Sequence, residues 1–384
     1  MFDFFAFLIF IPVQWRITVL WLRAAGRLPG QWKSAALAGV AVLNVLLAAG
    51  WALDFVAATG GPPTAGMVPL VLGTCTTTYS FSAIAVLALL TVFRFVRKIG
   101  GAEFHPGRRK LINAVGNVAL VAPFAALAYG ALIERLDFQV HEVDVPVPGL
   151  PDDLDGMRLL QLSDIHLSAF LSEKQLARVI DAANGLHPHL IAVTGDLISR
   201  RGDPIDACIR QLARLKSDSG IVGCMGNHEH VAGVEDYTQA AAARVGIPFL
   251  RSQSRPFRFG SATLNIAGVD YQPLSRRSTY LHGAERMILP GATNLLLSHN
   301  PDVFPVAAQQ GYNLMLAGHT HGGQVSVEIF DQAINPARFF THYVYGLYRQ
   351  GSASAYVTRG IGTIGIPARL GAPPEISLLR LRKV

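Results

Sequence analysis

Three stretches of this chain, residues 34–53, 67–93 and 111–133, each run for 20 residues or more without a charged side chain. About 20 consecutive apolar residues are enough for a helix to cross the hydrocarbon layer of a bilayer. A chain with three such runs is expected to devote its first part, residues 1–140, to an α-helical transmembrane region. A fourth candidate, 4–22 (FFAFLIFIPVQWRITVLWL), is interrupted by Pro12 and Arg16. It reads either as a span or as a helix lying in the interface with Trp15 and Trp21 as anchors. Residues 1–25 lack a short apolar core followed by a small-residue cleavage site and are not read as a removable signal peptide.

The net charge of +7 raises the question of a nucleic-acid partner, and its distribution answers it. Residues 1–133 hold ten Lys/Arg and three Asp/Glu, leaving 23 of each sign beyond them. The basicity therefore belongs to the membrane end, and no nucleic-acid partner is expected. Within that end the cations form two clusters, Arg23, Arg27 and Lys33, then Arg94, Arg97, Lys98, Arg108, Arg109 and Lys110, while 54–66 carries none. By the positive-inside rule both clusters are cytoplasmic, so the chain leaves the third span on the outer face of the membrane. Cys75, Cys208 and Cys224 show no CxxC pairing and imply neither a disulfide framework nor a thiolate metal site.

The proline- and aspartate-rich stretch VDVPVPGLPDDLDG, 143–156, reads as a strand or linker, and 141–156 is taken as the link to a soluble domain over 157–384. In that domain short apolar runs alternate with helical patterns: RLLQLSD, a helix over 173–185, LIAVTGD, a helix over 205–216, then GIVGCMGN. Later runs, ATLNIAGVD, NLLLSHN, NLMLAGH and ISLLRLR, are strand-like with fewer helices between them. A layered, mixed α/β domain is expected rather than a simple doubly wound sheet.

The ends of the apolar runs carry the chemistry. LSDIH supplies Asp164 and His166, TGD supplies Asp196, GNHEH supplies Asn227 and His228, LSHN supplies His299, and GHTH supplies His319 and His321. Residues i and i+2 of an extended segment leave from one face, so His319 and His321 can converge on a point. In layered α/β folds ligands sit beyond the carboxyl ends of strands. One histidine after a strand says little, but a succession of such ends, all drawn from Asp, Asn and His, points to a metal site.

This ordered set, D-x-H, G-D, G-N-H-E, H and G-H-x-H, resembles the calcineurin-like metallophosphoesterases. It is most similar to their membrane-anchored branch, which includes cell-wall-linked phosphodiesterases and relatives of UDP-diacylglucosamine hydrolase. The resemblance implies a four-layer αββα sandwich and two divalent cations. It implies Asp164, His166 and His321 on one ion, Asn227, His299 and His319 on the other, and Asp196 bridging. Many members carry an acid three residues after the G-D aspartate, where this chain has Ser199. That departure bears on substrate range or loop structure.

Two such cations, about 3.5–4 Å apart, acidify a shared water and clamp phosphoryl oxygens during in-line attack. The expected activity is hydrolysis of a phosphate ester, either a phosphodiester or an envelope or lipid-linked phosphate, through a metal-bridging hydroxide. His228 is the candidate catalytic residue, contacting phosphate or protonating the leaving oxygen. Manganese, iron, zinc or cobalt all suit these donors. The alternatives are a phosphomonoesterase or nucleotide hydrolase, and a membrane sensor or transporter with a metal-binding extramembrane domain. Against the last, the three expected spans hold no ionisable residue of the kind that lines an ion path. His105, His141, His187, His189, His282 and His342 fall outside any ligand pattern, whereas His230 and Glu229 stand close to one. Arg276 and Arg277 read as a solvated loop or as contacts to a substrate phosphate.

Overall fold

The computed structural model describes residues 2–58, 67–99, 125–324, 326–329 and 332–384. It divides into two compact units, Met1–Ala131 with Gly365–Pro367, and Leu132–Ile364 with Ala368–Val384.

The first unit contains helices α1 (Phe2–Ala25), α2 (Gly30–Ala58) and α3 (Met67–Ile99). Within α2 and α3, Gly30–Leu53 and Val71–Phe95 are long and apolar enough to cross a membrane, overlapping the expected spans 34–53 and 67–93. A helix satisfies all its backbone polar groups internally, which an apolar solvent demands. Helix α1 runs through Pro12 and contains the candidate 4–22. Most of the expected span 111–133 lies outside the described residues. Some polar side chains meet across helices: Thr18 Oγ1 and Gln14 Nε2 donate to Asn44 Oδ1 at 2.9 and 3.1 Å, and Trp51 Nε1 donates to Ser80 Oγ at 3.1 Å. Such contacts hold helices together where burial of apolar surface gives little drive.

The second unit is built on two mixed sheets. The first has five strands in the order β1 (Gln139–Val147), β13 (Glu375–Lys383), β2 (Arg158–Leu162), β3 (Leu190–Thr194) and β4 (Ile221–Cys224). Strands β2, β3 and β4 run parallel, and β13 is antiparallel to β2. The second has six strands in the order β11 (Gly346–Gln350), β12 (Ala353–Val357), β8 (Leu314–Ala317), β7 (Thr293–Leu297), β6 (Ala262–Gly268) and β5 (Gln253–Phe259). Here β12, β8, β7 and β6 are parallel, with antiparallel strands at both edges. A separate two-stranded ribbon pairs β9 (Val327–Ile329) with β10 (Gln332–Ile334).

Strand β3 shows why the layers form. All five of its residues, LIAVT, are buried. Leu190 and Ala192 face one core and Ile191 and Val193 another, as the two-residue period of a strand requires. The inner core lies between the sheets, where Leu159, Leu190 and Leu381 meet Leu264, Leu295, Leu314 and Leu316. On the outer side of the first sheet, helix α4 (Glu173–Gly185) packs Leu176, Val179, Ile180 and Ala183, beside Cys208 and Leu212 of α5 (Ile205–Leu212). On the outer side of the second, Phe304 and Ala307 of helix α7 (Phe304–Gln310) cover Leu296, Met315 and Ala355. The domain is thus a helix–sheet–sheet–helix sandwich, as expected. Gln161, fully buried, ties the sheets together by donating to Thr194 Oγ1 and to the Ala317 carbonyl, both at 2.9 Å.

Of the two readings of 143–156, strand or linker, the first part takes the strand: Gln139–Val147 forms the edge strand β1, parallel to β13 in register from Gln139–Glu375 to Val147–Lys383. Val145 and Val147 are buried in the inner core, and Pro146 is tolerated because one side of an edge strand needs no backbone donor.

Candidate metal centre

The parallel strands of both sheets end in the same region, and the segments that follow them carry all eight candidate ligand and catalytic residues. Loops after β2 and β3 run side by side: Asp164 N donates to Gly195 O and His166 N to Asp196 O, both at 3.0 Å. Between the second-sheet loops, Gly318 N donates to His299 O at 3.2 Å. Asn227 opens the short helix α6 (Asn227–Ala232) directly after Gly226. A Cβ on Gly226 would stand 2.1 Å from Asp196 Oδ1, and one on Gly318 would stand 2.2 Å from Asp164 Oδ2, so both glycines are set by close approach to a carboxylate.

Asp164, His166 and His321 form one cluster with donor atoms within 4.8 Å of one another, and Asp196, His299 and His319 form another. His321 Nε2 lies 3.3 Å from Asp164 Oδ1 and 3.1 Å from His166 Nε2. His299 Nε2 lies 3.0 Å from Asp196 Oδ2, without the alignment of a hydrogen bond. Asp196 Oδ2 is also 3.5 Å from His166 Nε2, so this carboxylate touches both clusters. The amide oxygen of Asn227, buried like His299 Nε2, has no hydrogen-bond partner among the described residues. Buried polar atoms are nearly always satisfied, and the orphaned Asn227 oxygen among carboxylates and imidazoles suits a divalent cation.

The backbone is strained where these side chains converge. Nine non-glycine residues among those described have left-handed backbone angles, and five of them are Asp164, His166, Asp196, His319 and His321, with φ from 48° to 75°. Such conformations persist only where surrounding structure over-determines them, and they gather at functional sites.

The electrostatics follow from burial. Desolvation pushes His166 down to about 3 and His319 to about 4, and holds His321 well below its usual range, so all three are neutral with lone pairs to offer. His299 differs: burial opposes its protonation, but the carboxylates of Asp196 and Asp164 overcome this and hold it up to about 10. The same negative field would draw in a cation. His166 Nδ1 meets Ser199 Oγ at 3.1 Å, and His299 Nδ1 donates to Thr194 O at 2.7 Å, which leaves both Nε2 atoms aimed at the centre.

His228 stands at the open side, its side chain 19% exposed and its ring centroid 4.8 Å from that of His166. Its backbone N–H donates to Asp196 Oδ1 at 2.8 Å, and Nδ1 donates to Ser199 O at 2.5 Å, so Nε2 is the free nitrogen.

Four residues gain roles that sequence reading did not give them. Glu229, fully buried, accepts backbone N–H groups from Asp196, Leu197 and Gly226 at 2.7–2.9 Å, locking the G-D turn to the G-N turn. Arg369, also fully buried, donates to the carbonyls of Gly360, Gly362, His321 and Ala372 and points Nη2 at His321 Nδ1, 3.4 Å away. Burial brings its guanidinium down to about 10. Ser199 orients His166. Tyr271 lies with its ring 5.4 Å from His319 and 6.2 Å from His299, and burial pushes its phenol up to about 12, keeping a neutral O–H at the rim. Tyr271 follows β6 as the ligand candidates follow their strands, a positional signal that the sequence did contain. His230, by contrast, turns outward to Glu235 at 2.6 Å. His189 accepts from Arg158 N, and His141 meets Arg359.

Residues 157–323 match the family model described as calcineurin-like phosphoesterase. A "Transmembrane protein with metallophosphoesterase domain" from Danio rerio is 30% identical over 326 residues, covering 79% of this chain and 73% of that protein. That coverage is more than residues 157–384 alone can supply. The "Uncharacterized metallophosphoesterase YkuE" of Bacillus subtilis (strain 168) is 30% identical over 291 residues, covering 75% of this chain and 99% of the relative. With the ligand-type residues gathered at the strand ends of an αββα sandwich, this chain belongs to the calcineurin-like phosphoesterase family and is a metal-dependent phosphoric-ester hydrolase.

Proposed function

We propose that the protein is a membrane-anchored phosphoesterase that works with two divalent cations. Its substrate would be a phosphodiester or an envelope or lipid-linked phosphate, met on the outer face of the membrane. The observation that carries this reading is the contact of Asp196 with both clusters, together with the unpartnered amide oxygen of Asn227. Asp164, His166 and His321 would hold one ion, Asn227, His299 and His319 the other, and Asp196 both. Bound there, such a pair supplies positive charge for phosphoryl oxygens and an acidified water as nucleophile.

The chain's own residues account for the rest. His228 presents Nε2 to the open side while Ser199 O accepts from Nδ1, an arrangement that fixes the ring for proton transfer to a leaving oxygen. Tyr271 stands beside His319 with a neutral O–H. Glu229 and Arg369 keep the loops in place. The outward orientation rests on the two cytoplasmic cation clusters, and anchoring favours a substrate at the bilayer surface. The reading is tested by assaying the full chain with manganese, iron, zinc or cobalt against bis(p-nitrophenyl) phosphate and p-nitrophenyl phosphate. Metal-dependent cleavage favouring the diester supports it, a preference for the monoester supports the monoesterase reading, and no cleavage of either counts against both.

A further inference from the structure

Phe339 and Phe340 are 86% and 77% exposed, side by side at the tip of the loop that follows β10. Two adjacent rings left in water are costly, and they mark a contact surface when charged residues frame them. Arg338 precedes them, and Arg277 lines with them a cavity of about 370 Å³ that also includes Asp302. The base of the loop is tied to the candidate metal centre at three points. Asn335 Nδ2 donates to Gly322 O at 2.7 Å, Thr320 Oγ1 donates to Val344 O, and Thr341 Oγ1 donates to Asp302, three residues beyond His299.

Resting on the membrane-anchored reading above, we infer that this loop is a lipid-docking tip. Phe339 and Phe340 enter the acyl boundary of the bilayer, Arg338 and Arg277 meet headgroup phosphates, and the centre is thereby presented to phosphate esters carried by lipid. The occupant follows from area and charge. Two phenylalanines cover about 300–500 Å², short of the roughly 800 Å² per side of a stable protein interface. Insertion into a bilayer has no such threshold, and aromatic rings beside arginines are the composition that interfacial anchors use.

The test uses the full chain in nanodiscs of phosphatidylcholine and phosphatidylglycerol, with Cys75→Ser and Phe339→Cys labelled by the fluorophore NBD. Cys208 and Cys224 are buried, with thiols pushed far up by desolvation, and do not compete for label. A label at exposed Asp152, as Asp152→Cys, is the aqueous control. Docking predicts blue-shifted emission at 339 and at least about twofold quenching by doxyl-labelled lipid, both absent at 152 and both diminished by adding Phe340→Ser and Arg338→Ser. Water-like emission at 339 overturns the inference. So does a blue shift that grows with protein density and ignores doxyl lipid, which would mean a second copy on the tip. Turnover of bis(p-nitrophenyl) phosphate by the same preparation is scored separately, so loss of docking and failure of the phosphoesterase reading are told apart.

Discussion

His166 Nε2 and His321 Nε2 face each other at 3.1 Å across 155 residues of sequence, with both rings buried. Desolvation keeps both imidazoles neutral, and Ser199 and Arg369 occupy their Nδ1 sides. Two neutral ring nitrogens buried this close together are an arrangement that a shared cation would stabilise. Chelation should therefore lower the thermal midpoint of the purified chain, and manganese or zinc should restore it. At a hundredfold excess over Kd the expected stabilisation is about 2.7 kcal/mol. An unchanged midpoint after exhaustive chelation would remove this support for a metal centre.

His228→Ala should lower kcat by about a hundredfold or more while leaving metal content intact, because His228 Nε2 is 4.0 Å from Asp196 Oδ2 and its Nδ1 is engaged by Ser199 O. Metal analysis alongside kinetics separates the outcomes. Loss of metal in this variant would make His228 a ligand, and full turnover would remove it from the chemistry.

Ser199→Ala removes the hydroxyl that meets His166 Nδ1, so the ring should lose its fixed tautomer and orientation. Partners of this kind are worth about 10- to 100-fold in metal affinity. Titration with a competing chelator measures the change, and an unaltered affinity would show that the neighbouring backbone alone holds His166.

Glu229→Gln places an N–H₂ group against backbone N–H donors that one carboxylate now satisfies. A loss of about 1–3 kcal/mol in stability is expected, with activity falling as the two turns separate. Thermal denaturation of the variant beside wild type tests this, and equal midpoints would refute the locking role.

A reporter active only outside the cytoplasm, fused after Val384, should be active, and a cytoplasmic reporter should be silent. The reverse pair of results would overturn the outward orientation.

What could be read from the sequence depended on how local its cause was. Asp164, His166, Asp196, Asn227, His299, His319 and His321 stand out as candidates because each follows an apolar run, and the fold brings those run ends together. Helix α4 is legible as Glu173–Gly185 because Leu176, Val179, Ile180 and Ala183 repeat on one face, and the structure adds a capping box of Ser172 and Gln175. Strand β12, ASAYV, was not legible: three of its residues are Ala or Ser, and only its seat between β8 and β11 makes it a strand. Strand β5 was hidden by Pro256, which its edge position tolerates. The contacts of Glu229 with Asp196 and of Ser199 with His166 join residues 33 positions apart, and no periodicity reports such an approach.

The most direct test of the central claim is the metal content and diesterase rate of full-length Asp196→Asn beside wild type. An account in which Asp196 joins two cations predicts a fall from about two bound ions per chain and a loss of at least a hundredfold in rate. Retention of both ions with undiminished hydrolysis would contradict it.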